Sequence, residues 1–254
     1  MWSRSELKEK AKAVLKTNYW EAFWVSIVIA FAAGSGGGGG GGGSSGSSGR
    51  NGYSSDPFSS FGLEWTIILL IVFGAIAVAL AIRIFAGYSL EVGGRRYFVK
   101  SAQYEDNKRC FGFAFQKDNY WAIVKTMLRK GIQNFLWYLA LIIPGYIKHY
   151  AYSMVPYILA DNPNIGDKRA IALSNEMTNG HKMSMFILDL SFIGWYILGF
   201  FACCVGMLFV KPYENATKAE LYLVLRKNAL DNGMCSYDDL LLNNEQTDNG
   251  IGLL

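Results

Sequence analysis

Asp189 is the side chain of this sequence whose chemical type and position stand out most. It is the only ionised residue in the apolar run 185–210, and a carboxylate inside such a run is costly and often functional. Arg83, Lys182 and His181 are candidate partners for it. Asp189, His181 and Arg83 are therefore the candidate functional residues. The alternative is an interfacial Asp189 that reaches headgroup water from the first turns of a helix.

The spacing of the candidate catalytic and metal-binding residues does not match any known catalytic motif considered for this sequence. Ser174, His181 and Asp189 have the residue types of a hydrolase triad, but intervals of seven and eight residues place them about 10 Å apart along a helix. A triad requires hydrogen-bond contact. The two histidines form no H-E-x-x-H motif, and the four cysteines form no C-x-x-C pair. The sequence thus predicts no enzyme, and it predicts neither a metal nor a cofactor.

Long apolar runs determine the predicted fold class. Hydrophobic residues make up 52% of the chain and charged residues 17%, which is more apolar than a typical soluble domain. The runs 65–82 and 185–210 are close to or above the roughly 20 residues that a helix needs to cross a bilayer. Helices satisfy their own backbone groups in lipid. We predict an all-α, polytopic helical membrane protein with about six transmembrane helices plus amphipathic interfacial helices.

The alternation of polar and apolar segments predicts how the chain is divided. Residues 1–18 are predicted as a cytoplasmic amphipathic helix that begins at the capping box Ser3-Arg4-Ser5-Glu6, and residues 19–33 as the first span. A cleaved signal peptide is the alternative, disfavoured by the acidic residues of this segment. The other predicted parts are a Gly/Ser-rich extracytoplasmic linker at 34–64, a membrane domain at 65–230 with a basic cytoplasmic loop at 93–130, and a polar, disordered tail at 231–254.

Proline and glycine predict where the membrane domain breaks. Residues 131–147 and 149–160 are predicted as a hairpin of two spans with its break at Pro144-Gly145. The apolar run 183–210 is longer than one span requires, and Gly194, Gly199 and Gly206 are candidate points of division.

The distribution of Lys and Arg predicts the orientation. Five precede the first span, one lies in the linker, and nine lie between residues 95 and 130. Positive charge concentrates on the cytoplasmic side, so we predict a multi-pass protein of the cell membrane with both termini cytoplasmic. Six spans place the C-terminal bases inside, whereas the alternative of five spans places them outside.

The basic segment also offers a lipid-binding hypothesis. Its bases alternate with aromatic residues, a pattern that suits anionic headgroups, and the alternative is that they only set the topology. No nucleic-acid motif accompanies them, so the predicted partners are membrane lipids and other membrane proteins. The candidate lipid contacts are Arg95, Arg96, Lys100, Lys108 and Arg109.

Several short motifs resemble one known family. In order they are Tyr157-Ile158-Leu159-Ala160-Asp161-Asn162-Pro163, Ala170-Ile171-Ala172-Leu173-Ser174, Gly180-His181-Lys182, Leu190-Ser191-Phe192-Ile193-Gly194-Trp195 and Pro212-Tyr213, with Glu6-Leu7-Lys8 and Tyr19-Trp20 near the N-terminus. Together they resemble the bacterial integral membrane family called domain of unknown function 975, which is common in Gram-positive bacteria. The resemblance implies a membrane protein, but no established substrate or site residue can be transferred.

Two functions remain open from the sequence. The first is a non-enzymatic, envelope-associated membrane protein that contacts lipids or partner proteins. The alternative is a small transporter or exporter component that uses broken helices and the intramembrane Asp189. No inverted repeat is evident to support the alternative, and a membrane-embedded hydrolase is disfavoured by the spacing of its candidate residues.

Overall fold

The computed structural model describes residues 2–33, 57–201 and 206–242, and within these residues it contains helices and no strand. The Gly/Ser run of the predicted linker and the end of the predicted tail lie outside the described residues. The helices are α1 (Arg4–Ala32), α2 (Pro57–Ile82), α3 (Tyr88–Ala102), α4 (Cys110–Ala114), α5 (Lys117–Ala140), α6 (Ile142–Ala151), α7 (Val155–Asp161), α8 (Asp167–Met177), α9 (Lys182–Phe201) and α10 (Gly206–Asp231).

Helix α1 joins the predicted interfacial helix and the predicted first span. The Ser3 side chain accepts a hydrogen bond from the backbone N–H of Glu6, as the capping box predicts. The backbone leaves helical geometry at Asn18 (φ −131°, ψ 37°), which kinks the helix between the two parts. The apolar face of the amphipathic part of α1 is buried and consists of Leu7, Ala11, Val14 and Leu15.

The predicted basic loop at 93–130 is mostly helical. Helix α2 continues through a π-helical turn (Arg83–Gly87) into α3, and α4 and α5 follow. Gly94 suggests a loop by composition, yet a Cβ there would lie 2.4 Å from the Ile29 side chain of α1. The glycine therefore serves close helix packing, which sequence composition does not distinguish from a turn.

The break between α5 and α6 falls at Leu141, whose backbone is extended (φ −161°, ψ 141°), and not at the predicted Pro144-Gly145. Pro144 is the third residue of α6, where a missing N–H costs little because the first turn has no intrahelical acceptor. The two helices of this predicted hairpin therefore differ in length: α5 has 24 residues and α6 has ten. Helix α6 has ten residues, about 15 Å, and is too short to cross a bilayer.

Helix α7 and the segment after α10 belong to the buried core. Residues 155–160 are all buried, although they were predicted as part of a span. The predicted disorder of the tail is wrong for residues 232–242, which turn back onto the core. There Leu240 is fully buried, and Asn162 donates a hydrogen bond to the Asp239 carbonyl at 3.0 Å.

Helices α9 and α10 form an antiparallel pair. Phe192 packs edge-on against Tyr213, and Asp189 pairs with Lys218 further along, so the residue numbers run in opposite directions. A Cβ on Gly206 would lie 2.7 Å from the Gly199 backbone. Helix α9 passes Gly194 and Gly199 without a break and ends at Phe201, and α10 begins at Gly206. Of the three predicted points of division in the run 183–210, Gly206 is therefore the one that lies at a helix boundary.

Two of the described helices are long and apolar enough to cross a membrane, at Thr66–Ala102 and Lys182–Gly199. Every side chain from Thr66 to Ile82 is exposed. Further large apolar side chains are exposed on α9 and at the junction of α5 and α6, including Leu198, Leu139, Ile142 and Ile143. The fold therefore combines a buried core with an extended apolar surface.

Candidate functional site

A charged cavity of about 390 Å³ lies between α1, the π-helical turn, α3, α5, α6 and α10. A smaller cavity of about 140 Å³ adjoins it, and Glu91, Arg95, Lys130, His149 and Lys218 line both. The ionisable lining of the two cavities is cationic in excess. It consists of the bases Arg83, Arg95, Lys130, Lys211 and Lys218, the acids Glu91, Asp189 and Glu214, His149, and the phenols of Tyr88, Tyr150 and Tyr157.

Helix α10 supplies the central charges of this cavity. Lys211, Glu214 and Lys218 recur at helical spacing and therefore share one face of α10. The Glu214 carboxylate accepts from Lys218 at 2.8 Å and from Lys211 at 3.2 Å, and the Tyr196 hydroxyl of α9 also donates to it. A carboxylate bound by two ammonium groups stays ionised in a site of low dielectric.

Asp189 belongs to the same network. Its carboxylate forms an ion pair with Lys218 at 3.2 Å and accepts a hydrogen bond from the Tyr150 hydroxyl at 3.1 Å. Lys218 thus bridges Asp189 and Glu214. Among the described residues, the ion-pair partner of Asp189 is Lys218. The partners predicted from the sequence were Arg83, Lys182 and His181, and none of them pairs with Asp189 in this part of the chain.

Arg95 of α3 also lines the cavity. Its Nη1 donates to Asn215 Oδ1 at 2.7 Å and to the Tyr157 hydroxyl at 3.1 Å, and its guanidinium lies 3.9 Å from Glu91. Asn215 donates in turn to the Ser26 hydroxyl of α1 at 3.0 Å. This chain of contacts links α3, α7, α10 and α1, so Arg95 is held by the fold and does not project into solvent.

Several polar groups at the cavity lack a partner within the described part of the chain. Arg83 and Lys130 line the cavity and form no ion pair there. Arg95 Nε and Asn134 Oδ1 are buried without a hydrogen bond. A buried polar atom without a partner is costly, and an orphaned group in a cavity wall indicates a place for a ligand or water.

The other sequence candidates lie elsewhere. His181 packs near the Trp2 ring, with centroids 6.2 Å apart. Of the five candidate lipid contacts, only Arg95 lines the cavity. Arg96 donates to the Ala160 carbonyl and covers the Phe113 ring at 3.7 Å, and Lys100 pairs with Glu105. Lys108 and Arg109 are exposed.

Sequence reasoning missed most of the cavity's charged residues. Glu91, Lys130, Lys211, Glu214 and Lys218 were not singled out, although the last three carry a visible signal. Their helical spacing directly after an apolar run places three charges on one face of a helix. Glu91 and Lys130 carry no comparable signal, because they reach the cavity only through the packing of α3 and α5.

The arrangement of charges favours the binding of an anion. Cationic groups outnumber carboxylates in the lining, and two of the cations have no carboxylate partner among the described residues. Ammonium and guanidinium groups in a partly desolvated cavity bind phosphate and carboxylate groups through charge-assisted hydrogen bonds.

One comparison with known proteins identifies a family. The profile of a family described as "Protein of unknown function (DUF975)" matches residues 67–229. The match covers more than half of the chain and runs from within α2 to near the end of α10. No curated protein and no solved structure matches the chain.

Proposed function

The chain belongs to the DUF975 family of proteins of unknown function, and from this premise we propose that it is a multi-pass protein of the cell membrane. It acts by binding membrane lipids and other membrane proteins, without catalysing a reaction. The observation that carries this proposal is the apolar surface that the described residues leave exposed. This surface includes the whole of α2 from Thr66 and the outer face of α9.

The extent of that surface supports insertion in a bilayer. Water-soluble monomers rarely expose contiguous apolar patches larger than a few hundred Å². Here the exposed apolar side chains also include Trp20 and Trp24 on α1, and tryptophan is enriched where helices enter the headgroup region.

We assign six membrane-embedded segments, of which four cross the bilayer. The crossing segments are the second part of α1, α2, α9 and the first half of α10, in which Lys211, Glu214 and Lys218 line the cavity. The end of α5 and the short α6 enter from the cytoplasmic side and return. Four crossings keep both termini cytoplasmic and leave Arg50 as the one extracytoplasmic base between Arg4 and Lys227.

Labelling of intact cells with a membrane-impermeant maleimide tests this topology. In a background without native cysteines, Ser48→Cys in the linker should react and Arg109→Cys before α4 should react only after the cells are opened. Both variants should remain in the membrane after alkaline extraction. Reversed labelling, or release of the protein by alkali, would overturn the proposal.

The charged cavity favours a second candidate, a small transporter or exporter component. Helices interrupted near a polar cavity form substrate sites in secondary transporters. Here the extended Leu141 separates α5 from α6, and both helices line the cavity. Proton flux into proteoliposomes under an imposed potential tests a proton-coupled mechanism. Transport predicts a flux that Asp189→Asn abolishes and that Asp106→Asn, at an exposed position, leaves intact. A flux equal to that of empty liposomes counts against this candidate.

A further inference from the structure

The charged cavity and an apolar groove meet at one residue, Arg83. The groove has a volume of about 690 Å³ and runs between α1 and α2. Its walls carry Ile27, Phe31, Ile76 and Leu80, and Arg83 lines both the groove and the cavity. A site with a cationic compartment at one end and an apolar channel at the other matches an amphiphile with an anionic head.

We propose that this composite site binds one anionic phospholipid, with the phosphate in the cavity at Arg83 and Lys130 and an acyl chain in the groove. The inference rests on the proposed membrane function and names a ligand and a site for it. The candidate surface contacts Lys108 and Arg109 take no part, because they do not line either compartment.

The unpartnered groups of the cavity favour a phosphate diester with a hydroxyl-bearing headgroup. Arg95 Nε is a buried donor without an acceptor, and the exposed Arg83 and the half-buried Lys130 have no carboxylate partner among the described residues. Phosphate oxygens supply several acceptors at once. Asn134 Oδ1 is an acceptor in need of a donor. A bare phosphate diester offers acceptors alone, whereas a glycerol headgroup adds hydroxyl donors. Phosphatidylglycerol is therefore the probe of choice.

The apolar walls of the groove favour a lipid over a peptide segment at this site. The groove walls are apolar along α1 and α2, so main-chain amides placed there would lose their hydrogen bonds to water. An acyl chain carries no such groups. The position of Arg83 between the compartments corresponds to the junction of headgroup and chain.

Binding of fluorescent short-chain phosphatidylglycerol to the purified full-length protein in neutral detergent tests the inference. Arg83→Gln and Lys130→Gln should each weaken binding about tenfold or more, because each removes a charge-assisted contact. The matched control Arg109→Gln should bind as the wild type does. Fluorescent phosphatidylcholine should bind more weakly than phosphatidylglycerol to the wild type.

A groove variant identifies the source of the phosphate. Ala79 lines the groove, and Ala79→Phe should reduce lipid binding while the cationic cavity stays intact. Unchanged lipid affinity in Arg83→Gln and Lys130→Gln would overturn the inference. Equal weakening by Arg109→Gln would overturn it in favour of non-specific surface attraction. Competition by millimolar inorganic phosphate together with full lipid binding by Ala79→Phe would replace the lipid by free phosphate. The membrane proposal is tested separately, because the outcome of alkaline extraction does not depend on whether the protein binds this lipid.

Discussion

Lys218 is the cation that neutralises two carboxylates of the cavity. It bridges Glu214 at 2.8 Å and Asp189 at 3.2 Å, two carboxylates from neighbouring helices. Removal of a cation from such a cluster leaves carboxylates that repel each other in a medium of low dielectric. The cluster therefore couples α9 to α10 by electrostatics as well as by packing.

Lys218→Met should destabilise the protein by about 2–3 kcal/mol. This is less than for a fully buried pair, because the Lys218 side chain is 28% exposed. Thermal unfolding in detergent measures the effect, and Lys218→Arg, which keeps the charge, should recover most of the stability. A Lys218→Met protein that unfolds at the wild-type temperature would show that the cluster contributes nothing.

The burial of Glu220 predicts that the stability of the protein depends on pH. Glu220 is buried in the later part of α10, outside the crossing segments, and burial raises its pKa to about 7. A raised carboxyl pKa favours the protonated form in the folded state, so its stabilising effect is complete below about pH 4.5 and is lost as the pH rises through 7. Glu220→Gln should therefore stabilise the protein by about 2–3 kcal/mol at pH 8 and by little at pH 5. Glu9→Gln at an exposed position is the control, and equal stability differences at both pH values would contradict the assignment.

At the scale of elements, the contact between α9 and α10 depends on glycine. A Cβ on Gly206 would meet the Gly199 backbone at 2.7 Å, whereas a Cβ on Gly194 meets nothing within 4 Å. Gly206→Ala should cost about 1–3 kcal/mol, because backbone must move to admit the methyl group. Gly194→Ala, in the interior of α9, should be neutral or stabilising. Thermal unfolding of the pair distinguishes these outcomes, and equal effects would refute the close contact.

The sequence predicts features that depend on residues close together in the chain, and it misses contacts between residues that are far apart in the chain. Local signals predict the Ser3 cap, the apolar stripe from Leu7 to Leu15 and, at Gly206, one of the three candidate divisions of the run 183–210. Contacts distant in sequence carry no such signal. Examples are the Asp189 ion pair with Lys218, the packing of Gly94 on Ile29, and Asn162 bound to the Asp239 carbonyl. The cavity is assembled from these distant contacts, so only Asp189, Arg83 and Arg95 among its charged residues were anticipated.

At the scale of the whole molecule, the fold separates two surroundings. Helices α7 and α8 and the later part of α10 form a core like that of a water-soluble protein, while α2, the outer face of α9 and the α5–α6 junction expose apolar side chains. The charged cavity lies between these regions. This arrangement fits a protein that holds an anionic lipid at the boundary of the bilayer.

The depth of α2 in the bilayer tests the central claim most directly. A nitroxide placed at Leu70, 70% exposed on α2, should collide with oxygen in reconstituted membranes and remain protected from a water-soluble nickel complex. A nitroxide at Arg109 should show the opposite behaviour. Access of the nickel complex to Leu70 equal to its access to Arg109 would contradict the account, because α2 would then lie in water.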